Sequence, residues 1–386
     1  MLEASGKQVV LINLVPVTSG GGLQNALSFL EGLASRPRLR DRSLIACTRD
    51  TPLHRSCSEL GLSHVAIPPG LAGRVAYEVA LGRSIARTAG ARILFTLFGN
   101  APWRHGNVHT ISGFAYSYVI QREVQFWNFL PFFPRIWRKL KDFGRLQLAR
   151  RADELILETD YLRERAEIGV FRGKTLHVVR MEPSLLVAGP VPLPQREPAE
   201  PRHLLCLATP HPNKRIDLLA PVLVEMNAIS TKTGGPAVYL VTTMPENAPY
   251  LGQIRRSFAR AGASALLVNV GPIAPANVRS LLSSVDAIAN VALLESFSNN
   301  WVEAWSSGRP LITTDAEWSR RSCGAAAIYV DPTRPMEAAQ EMLKAFSPVD
   351  RDRLILAGQS NLRDLASAGP KIDQYAGIIL NALATP

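Results

Sequence analysis

The chain has 386 residues, of which 47% are hydrophobic, enough for two domains that each bury a core. Its 43 Lys and Arg outnumber its 32 Asp and Glu, and the formal net charge of +11 favours anionic partners such as phosphorylated substrates, acidic lipids or nucleic acid. No stretch reaches the roughly 20 apolar residues of a membrane span, and residues 1–7 lack the layout of a signal peptide. Four cysteines without paired spacing predict reduced, buried thiols in a cytoplasmic protein.

The first half of the chain alternates strand and helix patterns. Apolar runs predict buried parallel strands at residues 9–17, 43–47, 65–67, 92–98, 108–111, 152–159 and 175–179. Apolar residues at helical spacing predict helices at 23–34, 77–89 and 161–168. Between the first strand and the first helix lies a glycine run with Gly21 and Gly22, whose N–H groups can approach a phosphate. Alone this is weak evidence, because the run lacks Walker or dinucleotide spacing.

Residues 114–151 combine many aromatic rings with a run of Lys and Arg. This mixture is typical of segments that settle at a bilayer interface with anionic lipids, where each basic residue contributes about 1 kcal/mol. A pair of core helices with a solvated basic face explains the same composition equally well. The candidate residues on this acceptor or membrane side are Ser112, which lies just before the segment, and Tyr116, Trp127, Arg135, Arg138 and Lys139.

The second half of the chain repeats the alternation after a proline-rich stretch. Residues 189–201 hold five prolines without periodicity, which predicts an interdomain linker or an exposed loop. Strands are predicted at residues 203–208, 237–242, 265–268, 285–294 and 310–314, and helices at 216–229, 275–284, 301–307, 336–346, 350–368 and 371–383. The predicted domains are therefore 1–188 and 202–368, followed by a terminal helix in 369–386.

The stretch around residues 285–314 carries the most specific chemistry. Its pattern is strand, polar loop, short helix and strand, and in open α/β sheets such a loop lies at the carboxyl edge, where ligands bind. N–H groups at the start of that helix favour phosphate. Those expected to bind it belong to Ser296, Phe297, Ser298 and Asn299. Glu295 can accept hydrogen bonds from sugar hydroxyls and Glu303 can bind a vicinal diol such as ribose; alternatively, Glu295 caps the helix and Glu303 is solvated.

The letters of this stretch are distinctive: Glu295-Ser-Phe-Ser-Asn-Asn-Trp-Val-Glu303-Ala is followed by Gly308-Arg-Pro310 and by a strand ending in Thr-Thr-Asp315. The stretch resembles the carboxy-terminal signature of retaining GT-B glycosyltransferases of family 4, and the likeness continues through residues 317–332. The resemblance implies an α/β protein with two Rossmann-like domains that face each other across a donor-binding cleft, and a terminal helix in 369–386 that crosses back to the first domain. It also implies that Glu295 faces the donor sugar and that Glu303 holds the nucleotide ribose. Relatives usually have glycine where this chain has Ser298.

Other loops carry parts of the same resemblance. In the segment 209–215, relatives have an Arg and a Lys that grip the diphosphate; Lys214 matches the Lys, Thr209 stands at the Arg position, and Arg215 is a neighbouring cation. Relatives place a glycine loop opposite the diphosphate, which here would be Gly21 and Gly22. Many relatives have a histidine near the donor sugar at the end of the fifth strand, where this chain has Ser112.

These observations predict a retaining glycosyltransferase that moves a sugar from a nucleotide-diphosphate donor to a glycan or lipid-linked acceptor in surface polysaccharide or glycolipid assembly. The nucleotide sugar is a co-substrate, and neither a cofactor nor a metal is expected. The Asp-x-Asp match at residues 350–352 is better explained by helix capping, and no His/Cys cluster has zinc spacing. The resemblance also favours the membrane interpretation of residues 114–151, and so a protein at the inner face of the cell membrane.

Three other functions fit part of the sequence. A nucleotide-sugar epimerase can share the fold. A catalytically inactive relative that serves as a partner subunit agrees with the departures at Thr209 and Ser112. A nucleic-acid-binding protein agrees with the net charge, but the basic residues are spread out and no recognition motif occurs, so no nucleic-acid partner is expected. The nucleotide, the sugar, the acceptor and the oligomeric state stay open.

Overall fold

The computed structural model describes residues 9–18, 20–103, 107–182, 189, 191–274 and 277–384. The chain forms two compact units, one of Met1–Arg180 with Ala368–Pro386 and the other of Met181–Ser367. The predicted domain end at residue 188 lies outside the described residues.

The first unit is built on a seven-stranded parallel sheet. Its strands are β1 (Val10–Asn13), β2 (Ser43–Thr48), β3 (His64–Ile67), β4 (Ile93–Thr96), β5 (His109–Gly113), β6 (Glu154–Leu157) and β7 (Thr175–Val178). The strand order is β3-β2-β1-β4-β5-β6-β7. The β1 residues are fully buried, as expected for a central strand that is covered on both faces.

Helices connect the strands of the first unit. They are α1 (Gly20–Ala34), α2 (Pro37–Arg40), α3 (Pro52–Glu59), α4 (Gly70–Ala76), α5 (Gly82–Thr88), α6 (Ser117–Ile120), α7 (Phe132–Ala149) and α8 (Asp160–Ile168). A π-helical turn, Tyr77–Leu81, joins α4 to α5.

The second unit has a six-stranded parallel sheet. Its strands are β8 (Arg202–Cys206), β9 (Val238–Thr242), β10 (Leu267–Asn269), β11 (Ala287–Asn290), β12 (Leu311–Thr314) and β13 (Ile328–Val330), in the order β10-β9-β8-β11-β12-β13. Its α-helices are α9 (Leu219–Lys232), α10 (Pro249–Arg260), α11 (Val278–Ser283), α12 (Asn299–Ser307), α13 (Glu317–Cys323), α14 (Pro335–Leu343) and α15 (Pro348–Ser367). Two 3₁₀ turns, Pro212–Lys214 and Ile216–Leu218, precede α9.

The carboxy-terminal helix α16 (Lys371–Ala384) belongs to the first unit. Tyr375 packs edge-on against Phe29 of α1 with ring centroids 5.7 Å apart, and Ile379 is fully buried in the same core. Arg36 and Asp373 form an ion pair of 2.8 Å beside this contact. The amphipathic pattern of the terminal helix therefore buries its apolar stripe on α1 and the central sheet.

A buried arginine ties the proline-rich stretch 189–201 to the second unit. The guanidinium of Arg309 is 1% exposed and donates to the carbonyls of Val191 and Pro192, at 3.0 and 2.7 Å. It also donates to the carbonyls of Leu282 and Val285, at 3.0 and 2.9 Å. Burial lowers the pKa of Arg309 to about 10, because the charge has left water.

Candidate functional site

The loops that follow β8 and β11 meet at the carboxyl edge of the second sheet, because these two strands are neighbours. The backbone N–H of Leu293 donates to the carbonyl of Asn213 at 2.8 Å. The Asn213 side chain returns the bond, with Nδ2 3.0 Å from the carbonyl oxygen of Leu294. These paired bonds fix the two loops together and bring the residues that follow, Lys214 and Glu295, face to face.

Lys214 and Glu295 form an ion pair in this edge. Lys214 Nζ lies 2.5 Å from Glu295 Oε1, and the side chains are 18% and 16% exposed. A pair with so little exposure is weakly screened by salt and water, so each charge fixes the other. The two residues predicted to act on a donor sugar and its diphosphate are thus in contact.

Glu303 lies one helical turn into α12, close to the same lysine. Its Oε2 accepts a hydrogen bond of 3.0 Å from Asn300 Nδ2, three residues earlier on the helix. Burial raises the pKa of Glu303 above its ordinary value, while the Asn300 bond and the charge of Lys214 act to lower it. Glu303 is therefore a partly buried carboxylate with a fixed orientation, and the alternative of a solvated helix residue is wrong.

The first turn of α12 has backbone N–H groups that its own N-cap does not satisfy. Ser298 is the N-cap residue, but its Oγ accepts a hydrogen bond of 2.6 Å from Asn290 Nδ2 and makes no cap bond within the described part of the chain. Phe297 packs its ring on Trp301, with centroids 5.1 Å apart. Since the first N–H groups of a helix have no intrahelical acceptors, those at Asn299 and its neighbours are available to an anion.

The other predicted residues of the β8 loop are Arg215 and Thr209. Arg215 takes the left-handed conformation, with φ of 52°, which turns the chain between the two 3₁₀ turns. Burial lowers the pKa of Arg215, and the nearby carboxylates of Asp331 and Asp217 oppose that effect. Thr209, which stands where relatives have an arginine, is exposed. The loop therefore presents two cations close together, one of them paired with Glu295.

The predicted residues of the first unit lie at the carboxyl ends of its strands. Gly21 and Gly22 are in the first turn of α1 and not in a loop, so the predicted glycine loop is shorter than expected; Ser19 lies outside the described residues. Ser112 is 1% exposed, and its Oγ has no hydrogen-bond partner among the described residues.

The aromatic and basic segment forms a surface centred on α7. Arg145 lies 4.6 Å above the ring of Tyr116, and Arg138 lies 5.2 Å above that of Trp127. Arg135 donates to the carbonyls of Leu130 and Asn128. Lys139 is exposed.

A stripe of α7 is also apolar and exposed. Phe133, Trp137 and Leu140 are 80%, 70% and 58% exposed, and all lie on one helical face. The alternative of core helices with a solvated basic face does not describe this stripe, although Leu146 and Ala149 at the end of α7 are buried in a core cluster. Within the described residues, no helix has the length and apolar composition that crossing a membrane requires.

Two asparagines of the site were not predicted. Asn213 is buried and joins the two loops, and its Oδ1 has no hydrogen-bond partner among the described residues. Asn300 orients Glu303. Its position three residues before Glu303, directly before the predicted helix 301–307, is a sequence signal that points to this contact, whereas the partner of Asn213 depends on how the strands are ordered.

No protein-family model matches the sequence, and no curated protein matches it. Solved structures match the whole chain. A glycosyltransferase from Rickettsia africae ESF-5 has a TM-score of 0.70 at 12% identity, covering 98% of this chain and 100% of that one. HepE of Anabaena in complex with UDP-glucose has a TM-score of 0.69 at 13% identity, covering 97% and 99%. WaaG, a glycosyltransferase involved in lipopolysaccharide biosynthesis, has 0.66 at 13%, covering 96% and 99%.

The fold is GT-B. The prediction of a two-domain GT-B protein from the stretch around Glu295 and Glu303 is thereby confirmed at the level of the fold. Within the GT-B fold, the Lys214–Glu295 pair and the start of α12 lie at the carboxyl edge of the second sheet, the position at which open α/β sheets bind ligands.

Proposed function

We propose that this protein is a glycosyltransferase that takes a sugar from a nucleoside-diphosphate donor held by its second unit. The observation that carries the proposal is the contact between Lys214 and Glu295, 2.5 Å apart beside the start of α12. The GT-B neighbours support it, since HepE was solved with UDP-glucose and WaaG is involved in lipopolysaccharide biosynthesis.

The diphosphate would bind at the start of α12. Its charge is attracted by the N–H groups that Ser298 leaves unsatisfied and by the ammonium of Lys214. When the bond between the sugar C1 and the phosphate oxygen breaks, the leaving diphosphate gains negative charge. Fixed cations in a water-poor site stabilise that charge, and Arg215 adds a second one.

The two carboxylates would hold the two ends of the donor. Glu303, kept in one orientation by Asn300, accepts hydrogen bonds from the ribose diol. Glu295, kept in place by Lys214, accepts hydrogen bonds from hydroxyls of the transferred sugar. Lys214 and Glu295 separate only when the donor offers a new partner to each of them. Until the donor binds, the ion pair keeps both side chains ordered.

We further propose transfer with retention and without a metal, to a glycan or a lipid-linked acceptor. The acceptor oxygen forms the new bond to C1, and its proton passes to the leaving diphosphate, so that no separate protein base is needed. The exposed apolar face of α7, with its flanking cations, would place the first unit on an anionic membrane. Turnover that persists in EDTA is the result expected if Lys214 and α12 replace a divalent cation.

A thermal-shift panel of UDP-, GDP-, dTDP- and ADP-sugars tests the proposal. One of these donors should raise the melting temperature of the native protein, and Glu303→Ala should abolish the shift, because the ribose loses its acceptor. Glu337→Ala is the matched control, since Glu337 is an exposed glutamate of the second unit that pairs with Arg334. A panel in which no donor shifts the native protein, or in which Glu303→Ala responds like Glu337→Ala, would overturn it.

A further inference from the structure

The first unit contains a cavity of about 330 Å³ between the segment 118–128 and helix α7. This volume lies at the lower end of the roughly 300–1,000 Å³ that is usual for small-molecule sites. The wall residues are mainly aromatic and aliphatic, among them Phe126, Trp127 and Leu146. The cavity is separate from the Lys214–Glu295 site, which belongs to the second unit.

The walls of the cavity are held rigidly. Tyr118 and Phe126 stack with centroids 4.7 Å apart, and Trp127 stands edge-on to Phe126 at 4.7 Å. Asp142, the acidic residue of the lining, accepts a hydrogen bond of 2.5 Å from Trp127 Nε1 and pairs with Arg145 at 2.9 Å. The charge of the carboxylate is therefore offset by Arg145.

Two cations line the cavity without acidic partners. Arg122 and Lys139 are exposed, and neither makes an ion pair with any residue that the structure describes. The local charge is positive beyond these two: the pKa of Lys141 is lowered, chiefly by the neighbouring Arg145 and then by burial and Arg138. An anion near the cavity is therefore attracted by positive charge that has no acidic partner in the described residues.

The cavity also opens beside the apolar stripe of α7. Phe143 lines the cavity and is 61% exposed, and it continues the stripe of Phe133, Trp137 and Leu140 at spacings of three and four residues. Phe143 therefore joins the exposed apolar stripe to the wall of the cavity.

We propose that the cavity binds the hydrocarbon chain of a single anionic membrane lipid, with the phosphate of its head group between Arg122 and Lys139. Aromatic walls exclude water from the chain, and the two unpaired cations select the anionic head. The site does not depend on glycosyl transfer, so binding here and donor binding at Glu303 can fail separately.

Titration calorimetry with dodecyl phosphate, below its micelle concentration, tests the proposal on the full chain. The native protein should bind it, and should bind inorganic phosphate and dodecyl maltoside far more weakly. Lys139→Gln combined with Arg122→Gln should weaken binding about 30-fold, because each cation near a phosphate contributes about fivefold and the two factors multiply. Lys141→Gln, an exposed cation of α7 that does not line the cavity, is the matched control.

A second variant tests the chain rather than the head group. Val124→Trp places a ring in the cavity and should abolish binding, whereas Val349→Trp, at an 80% exposed valine of the second unit, should not. Binding of inorganic phosphate as tight as that of dodecyl phosphate would overturn the proposal. Unchanged binding of dodecyl phosphate by Val124→Trp would also overturn it. A third contradicting result is a native protein that floats with anionic vesicles but does not bind dodecyl phosphate, since docking would then involve the surface alone. If Val124→Trp does not fold, the charge variants decide.

Discussion

Replacing Lys214 by methionine removes the ammonium but keeps most of the apolar stem. In the structure Nζ is 2.5 Å from Glu295, and the lysine side chain is only 18% exposed, so the lost charge is one that water cannot readily replace. Removing one preorganised donor from a site of developing charge costs about 10²–10³ in kcat, or roughly 3–4 kcal/mol. We expect Lys214→Met to lower kcat by that factor and to weaken donor binding by less.

The same substitution leaves Glu295 largely buried and without its cation. An unsatisfied buried acceptor costs about 1–3 kcal/mol, so the unfolding free energy of Lys214→Met should fall by that amount. The double variant Lys214→Met with Glu295→Gln should recover much of this stability, because the amide does not carry an unpaired charge. It should recover none of the activity.

The release of nucleoside diphosphate in a single turnover measures the effect on the rate. Urea denaturation of both variants measures the effect on the unfolding free energy. A Lys214→Met protein that turns over within about threefold of the native rate would refute the role of the ammonium. Activity that returns with stability in the double variant would show that Lys214 acts on the fold alone.

Burial raises the pKa of Glu303, so the folded state binds the carboxyl proton of Glu303 more tightly than the unfolded state does. The stability that this proton contributes is fully present below the ordinary pKa of glutamate and is lost as the pH rises through the raised pKa. Glu303→Gln should therefore raise the melting temperature at about pH 8 and leave it nearly unchanged at about pH 4; an equal rise at both would contradict the burial argument. Arg309→Lys should lower the unfolding free energy measured in urea by about 3 kcal/mol, since one ammonium group cannot reach all the carbonyls to which the guanidinium donates. An effect below about 1 kcal/mol would contradict this role of the guanidinium. Phe133→Ser with Trp137→Ser should reduce flotation with anionic vesicles, while Val349→Ser, equally exposed on the second unit, should not; equal flotation of both proteins would exclude α7 as the docking face.

The positions of the strands were predicted except for that of β13, but their lengths were not. The apolar run 9–17 predicts a strand of nine residues, yet β1 ends at Asn13. There the Asn13 side chain accepts a hydrogen bond of 3.1 Å from the N–H of Val15 and donates to Thr96 at 3.2 Å, and the chain turns. Leu14 and Val15 stay apolar because they are buried beyond the strand end. The apolar run thus predicts which residues are buried, whereas the end of β1 depends on the side chain of Asn13.

Several helices were not predicted, and α3 and α10 are two of them. Both begin with proline in the first turn, at Pro52 and Pro249, which is a recognised start signal. In α10 the buried residues Leu251, Ile254 and Phe258 recur at helical spacing, so periodicity alone was sufficient to predict this helix.

For the candidate site, the sequence indicated which residues matter but not how they meet. Glu295 and Glu303 could be singled out from their own loop, and Lys214 from a loop 81 residues earlier in the chain. That Lys214 pairs with Glu295, and that Asn213 fastens the loops, follows from β8 and β11 being adjacent, which a single sequence does not reveal.

Hydrogen exchange of the backbone amides, with and without the nucleotide sugar that the thermal-shift panel selects, shows where the donor binds. The proposed donor site predicts slower exchange at residues 296–300 and 213–215 when the donor is present, because its diphosphate and sugar occupy the edge where Lys214 meets Glu295. Slower exchange confined to other segments, with these amides unchanged, would contradict it.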